Sequence, residues 1–173
     1  GPGRSKSWEV SEDGLEVTFH LRDGNWTDGV PCTADDVIFT FENFVMNKYA
    51  RGNSIDRFTL QGKTIEWVKV NDKTLVAKLP YPYGAFFFVT SHVLIYPKHV
   101  VAPLIDLSDP DSVNKALTTD TPVNKIVGTG SFILSQYVVD QKVVLKKNPN
   151  GWKKDQYGNQ LPYVCLLYTS PNP

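Results

Sequence analysis

Two adjacent carboxylates, Asp35 and Asp36, are the residues whose type best suits acid–base chemistry. A pair of acids can divide the proton-donating and water-activating roles of a glycosidase. Their place after Thr33 has a second and simpler explanation. Thr33 suits the N-cap of a helix, Asp36 stands at the reciprocal position of a capping box, and both acids face the positive end of the helix dipole. The three histidines, His20, His92 and His99, form no H-E-x-x-H motif and no pair at metal-ligand spacing on one helix. His20 reads as a solvated strand residue and His92 as a partly buried polar group in an aromatic block. Gly128-Thr129-Gly130 could cradle a phosphate, but Ile133 stands where G-x-G-x-x-G needs glycine and a strand follows. A tight turn is the better reading. The run Tyr81-Pro82-Tyr83-Gly84-Ala85-Phe86-Phe87-Phe88 could stack on a sugar or a peptide, or fill a core, with Tyr83 its most exposed member. Cys32 and Cys165 make no C-x-x-C pair, and two separate thiols are preferred over a disulfide. No catalytic residue, metal site or cofactor is expected.

Composition narrows the class. Of 173 residues 41% are hydrophobic and 12% aromatic, enough to bury a core. Lys+Arg and Asp+Glu both number 18, so the net charge is zero. A neutral chain argues against nucleic acid as the main partner, because phosphate binding needs a basic surface. No apolar run approaches the roughly 20 residues that span a bilayer.

The elements that must position these residues follow from period and punctuation. Residues 8–10 and 15–22 predict a hairpin around Asp13-Gly14, with Leu15, Val17, Phe19 and Leu21 on one face. Residues 34–47 predict a helix with one aromatic-rich buried face built on Val37, Ile38, Phe41, Phe44 and Val45. Residues 49–61 read as polar and irregular. A second hairpin is expected over 65–70 and 74–79, a helix over the apolar block 85–93, and a short helical turn from Pro97. Asp109-Pro110 predicts a helix start, with Asp as N-cap and Pro at the first position, ending at 118–121. Strands are expected at 131–138 and 142–147. Hairpins mixed with isolated helices give an α+β class, without regular β-α-β alternation.

Taken in order, these pieces form a larger pattern. Trp8, Asp13-Gly14, Phe19-His20-Leu21-Arg22, Trp26-Thr27-Asp28-Gly29-Val30-Pro31 and Ala34-Asp35-Asp36-Val37-Ile38-Phe39 stand in sequence, followed by Pro97-Lys98-His99 and then Val127-Gly128-Thr129-Gly130. The chain resembles the family 5 extracellular solute-binding proteins, the peptide-, dipeptide- and nickel-binding receptors of ABC importers, from about Trp8 to Val164. Ser131 stands where the family commonly has Pro, Gly151 where Tyr is usual, and Cys32 is unusual after Pro31.

The resemblance implies a partial first lobe of a two-lobed type II periplasmic-binding-protein-like fold. On that reading residues 1–125 form the accessory subdomain of lobe I, residues 126–164 return as strands to its main sheet, and residues 165–173 are a non-native tail on a fragment of a longer chain. It implies a binding component without enzymatic activity, periplasmic or extracellular and lipid-anchored. It captures a small solute, a peptide first of all, and delivers it to an ABC permease. No nucleic-acid partner is implied, and the protein is expected as a monomer. The segment before Pro97-Lys98-His99 lies near the ligand cleft in several members, which makes Thr90, Ser91 and His92 expected ligand-binding residues; Tyr49 joins them by position. The alternative for His92 is that it satisfies a neighbouring carbonyl. Two other functions stay open: a β-rich carbohydrate- or protein-interaction module using Tyr81, Tyr83 and Phe86, and a hydrolase fragment using Asp35 or Asp36.

Overall fold

The computed structural model describes residues 5–106, 108–118 and 120–169, so the last four residues of the expected tail lie outside it. The chain divides into two compact units. One takes the residues up to Arg22 together with Thr33–Ala116; the other takes Asp23–Cys32 and the residues from Leu117 onward. The division expected after residue 125 concerned subdomains of the family fold; these compact units part after Ala116.

In the first unit, β1 (Ser5–Val10), β2 (Glu16–Leu21), β5 (Glu66–Asn71) and β6 (Thr74–Lys78) form an antiparallel sheet in the order β1-β2-β6-β5. Between β2 and β5 lie α1 (Ala34–Thr40) and the short hairpin of β3 (Thr59–Leu60) and β4 (Lys63–Thr64). The alternation in β2 works as expected: Val17 and Leu21 are buried, and Phe19 packs on the same core. His20 lies on the outer face, 3.4 Å from Glu9 on the neighbouring strand. The Asp13-Gly14 turn puts Gly14 at φ 70, where a side chain would be strained, and Asp13 accepts the Leu15 N–H at 3.0 Å.

The helix predicted over 34–47 is corrected in two ways. After Thr40 it widens into a π-helical turn, Phe41–Val45. At that junction the Thr40 hydroxyl donates back to the Asp36 carbonyl at 2.8 Å. Threonine back-bonding of this kind competes with the regular ladder. The helix also buries two faces instead of one. Val37, Phe41 and Val45 enter the main core, while Phe39 packs with Val101 and Ala116, and Phe44 joins that second cluster. The expected N-terminus is observed: Thr33 and Asp36 form a capping box, with the Thr33 N–H donating to Asp36 Oδ2 at 2.8 Å.

Residues 49–61 are less irregular than their polarity suggested. Ile55–Phe58 forms a 3-10 turn and Phe58 is fully buried against Phe41, ring centroids 5.1 Å apart. The apolar block is helical as α2 (Phe86–Ser91), with Phe86 and Val89 inward. Tyr83, expected outermost, packs against the core instead, and Phe88 is 68% exposed. Pro97 caps α3 (Lys98–Val101). The helix expected from Asp109 starts later, as a 3-10 turn at Ser112–Lys115. The reason is local: Asp109 Oδ1 accepts the N–H of Asp111 at 3.1 Å, two residues on, and closes a turn instead of capping a helix.

In the second unit, β7 (Phe132–Val138), β8 (Lys142–Lys147) and β9 (Leu166–Thr169) form an antiparallel sheet in that order. The quoted motifs meet here. The Thr27 N–H donates to the Gly128 carbonyl at 2.8 Å, the Gly128 N–H returns to Thr27 Oγ1 at 3.1 Å, and the fully buried Asn148 donates to the Gly130 carbonyl at 2.8 Å. The departure at Gly151 has a steric account. A Cβ there would stand 3.1 Å from the amide of Gln160, which donates to the carbonyls of Asn148 and Pro149. Asp155 accepts bonds from Tyr163, Asn159 and Tyr157, and these hold its carboxyl well below the usual carboxylate range. Within the expected tail, β9 pairs with β8, yet all four of its residues are exposed.

Two outcomes follow for stability. Thr33→Ala removes one cap and costs about 1 kcal/mol, whereas Asp36→Ala leaves buried donors unpaired and costs about 2–3 kcal/mol, read by urea denaturation of the chain. Equal costs would show that Asp36 does no more than cap. Truncation after Val164 removes ladder bonds but, among the described residues 165–169, no buried side chain, so the melting temperature falls by less than about 5 °C. A larger fall would show that residues 165–173 belong to the fold.

Candidate functional site

A cleft of about 340 Å³ opens in the first unit, lined at its floor by Met46, Ile105 and Val113 and at its rim by Tyr49, Asp106 and Asp109. Tyr49 is 52% exposed, with the Lys48 ammonium 5.0 Å from its ring centroid. Both backbone polar groups of Tyr49 are held. Its N–H donates to Asn47 Oδ1 at 3.0 Å, and its carbonyl accepts from Asn114 Nδ2 at 2.8 Å. Asn47 also donates to the Pro110 carbonyl at 2.7 Å, and the Arg51 N–H donates to Asn114 Oδ1 at 2.8 Å. The opposite wall is fixed by Ser112, whose hydroxyl accepts the Asp106 N–H and donates to the Asp106 carbonyl, each at 2.9 Å. Sequence reasoning missed Asn47, Asn114 and Asp106; their partners lie up to 65 residues away, and no local pattern announces them.

Thr90, Ser91 and His92 stand elsewhere, at the end of α2 and outside the lining of that cleft. Thr90 Oγ1 donates to the Phe86 carbonyl and Ser91 Oγ to the Phe88 carbonyl, both at 2.8 Å. His92 Nδ1 is 2.7 Å from the same Phe88 carbonyl. A carbonyl only accepts, so Nδ1 carries the proton in this contact and Nε2 is left to the solvent side. The Phe88 ring lies 4.7 Å from the imidazole, centroid to centroid. Each hydroxyl keeps lone pairs after its own donation, so the helix end can still accept bonds from a solute.

The remaining candidates have structural employment. Asp36 is 4% exposed, and besides the Thr33 N–H it accepts the Lys98 N–H on Oδ1 at 2.8 Å. Asp35 pairs with Lys69, which also holds Asp72; the bonds to Asp35 and then Asp72 raise the Lys69 pKa above its usual value. With both oxygens accepting backbone N–H groups, Asp36 serves the fold, and Asp35 gives one oxygen to the Lys69 ammonium. Gly128 spends its amide on Thr27, as a turn would. Tyr81 is exposed, whereas Tyr83 packs on the core and Phe86 is buried within it, so the three present no common stacking surface. Neither cysteine forms a disulfide; Cys32 is buried and Cys165 exposed. Among the described residues no group of three His, Cys, Asp or Glu could hold a metal ion, and no helix is long and apolar enough to cross a membrane.

Comparison with known proteins places this geometry. A protein of Deinococcus radiodurans named "Probable ABC transporter-binding protein" is 32% identical over 169 residues, covering 94% of this chain and 28% of that protein. The periplasmic oligopeptide-binding protein OppA of Escherichia coli is 29% identical over 181 residues, covering 95% of this chain and 31% of OppA. Among solved structures, the periplasmic binding protein MelB of Agrobacterium fabrum, in complex with stachyose, superposes with a TM-score of 0.80 at 26% identity, over 96% of this chain and 26% of MelB. The chain thus spans about a quarter to a third of the length of these relatives, as expected for a partial lobe of the periplasmic-binding-protein fold. The model of the bacterial extracellular solute-binding proteins, family 5 Middle, matches residues 2–170, and the chain belongs to that family.

Proposed function

We propose that the chain is part of the substrate-binding component of an ABC importer, which captures a peptide between two lobes and hands it to a membrane permease. The observation that carries this reading is the family match across residues 2–170, joined to the likeness to an oligopeptide-binding relative. Binding proteins of this shape act by closure: the solute contacts both lobes only in the closed state and so shifts the population toward it. No covalent step is required, which agrees with carboxylates committed to the fold. The component works outside the cytoplasm, in the periplasm or lipid-anchored at the cell surface, as a monomer. Tyr49, at the rim of its cleft, supplies an aromatic face, and the Thr90, Ser91 and His92 cluster, apart from that cleft at the end of α2, supplies acceptors; both contact solute from this lobe.

A second solute class is favoured by one observation, the TM-score of 0.80 to a protein in complex with stachyose. Exposed aromatic rings serve sugars as well as peptides.

The two readings part in calorimetry on a full-length protein carrying this chain. Trialanine is expected to bind and stachyose is not; the reverse result replaces peptide by oligosaccharide, and binding of neither removes both. Ser91→Ala combined with His92→Ala is expected to weaken the bound solute by about tenfold, the worth of one or two hydrogen bonds, while the melting temperature without solute stays near that of the parent. Unchanged affinity would take Ser91 and His92 out of the site.

A further inference from the structure

We infer that Asn114, acting with Asn47, is the positioning residue for the Tyr49 ring; the inference rests on the reading that Tyr49 touches solute. An exposed ring is ordinarily free to move with its loop, and a ligand that uses it must then order the loop on binding, which costs affinity. Tyr49 departs from that expectation. Its N–H is taken by Asn47 and its carbonyl by Asn114, so both backbone groups of one residue are tied to side-chain amides. The two amides belong to different walls. Asn47 follows the π-helical turn and reaches across to the Pro110 carbonyl, while Asn114 lies in the 3-10 turn and reaches back to Tyr49 and to the Arg51 N–H. The latch therefore runs in both directions between residues 47–51 and residues 110–114, beside the cleft that Asn47, Tyr49, Pro110 and Val113 line.

Asn114 is particular to the task. Its Oδ1 accepts from Arg51, and its Nδ2 donates to both the Tyr49 carbonyl and Asp111 Oδ1, the latter at 2.7 Å. Only an amide offers an acceptor on one side and two donor hydrogens on the other. Aspartate has the same shape but would turn an acceptor toward a carbonyl and a carboxylate. Nothing in this arrangement buries the Tyr49 ring, so the bonds fix where the ring stands without hiding it.

The test uses fluorotyrosine NMR and calorimetry together. In the 173-residue chain labelled with 3-fluorotyrosine, Asn114→Ala and Asn114→Asp are expected to move the Tyr49 resonance toward that of free fluorotyrosine. The signal of Tyr96, which stacks on Phe44, should stay in place and so report that the fold is intact. Asp111→Asn, which leaves the Tyr49 bond standing, should leave the Tyr49 signal unmoved. In the full-length protein, Asn114→Asp is expected to weaken trialanine binding by about fivefold with the ring still present. An unmoved Tyr49 resonance in both Asn114 variants overturns the inference. So does a moved resonance with unchanged affinity, provided Tyr49→Ala itself weakens binding. If Tyr49→Ala leaves trialanine affinity unchanged, the assignment of Tyr49 to the site is what fails, and the positioning role falls with it.

Discussion

The carboxylate of Asp36 is the interaction on which the first unit is hung. Its two oxygens accept the N–H groups of Thr33 and Lys98, both at 2.8 Å, so one side chain caps α1 and seats the start of α3 62 residues later. Thr40, one turn on and fully buried, repeats the device: it accepts the Tyr96 N–H at 2.9 Å while donating to the Asp36 carbonyl. Buried polar groups must be paired, and here pairing does topological work, since it lays residues 96–98 along α1. With that segment fixed, Val101 meets Phe39 and the second apolar cluster closes over Ala116. The residues that line the cleft opposite Tyr49 hang from this second cluster.

The larger core is a separate achievement, driven by aromatic burial. Trp67 stands at 4.2 Å from Phe41 and 6.0 Å from Phe19, and Phe86 lies within 6.1 Å of both Phe19 and Trp67. The sheet, the π-helical turn after α1, and α2 each contribute a ring, so the sheet cannot shift register without breaking contacts to both helical segments. Such rings bury large areas and favour tilted or offset contacts. Together the polar clamp and the aromatic core make a rigid wall, and a rigid wall suits a binding surface whose affinity depends on what is already ordered.

Sequence legibility follows from this division. The hairpin of β1 and β2, the capping box at Thr33 and the strands β7 and β8 all rest on neighbours within a few residues, and the sequence pattern places each of them. The π-helical turn does not announce itself, because its cause lies at Thr40, whose hydroxyl is also tied to a segment far along the chain. Asp36 looked like a cap and is one; its second partner, Lys98, has no local signature. The same holds for the cleft. Position grouped Tyr49 with Thr90, Ser91 and His92, whereas the fold sets it at a separate cleft, and Asn114 became visible only once the fold brought it to the Tyr49 carbonyl. Asp109-Pro110 misled for the opposite reason: a strong local signal for a helix start was outcompeted by an equally local turn.

The polar residues therefore sort by whether the fold has already used them. Asp36, Thr40, Ser112 and Asn148 spend their hydrogen bonds on backbone, and Asp35 on the Lys69 ammonium, and they hold elements together. Tyr49 and His92 keep a ring face and a ring nitrogen outward while their remaining groups are fixed. An enzyme would need the reverse for its acids: a carboxylate held near, but not in, full hydrogen bonding, so that it can gain and lose a proton at the substrate. Of the adjacent acids that most resembled such a pair, Asp36 is buried with both oxygens engaged, and Asp35 is paired with Lys69. What remains outward is an aromatic face and hydrogen-bond acceptors on a stiff support. Such a surface fits the proposed capture and release of a solute, which needs contacts but no bond made or broken.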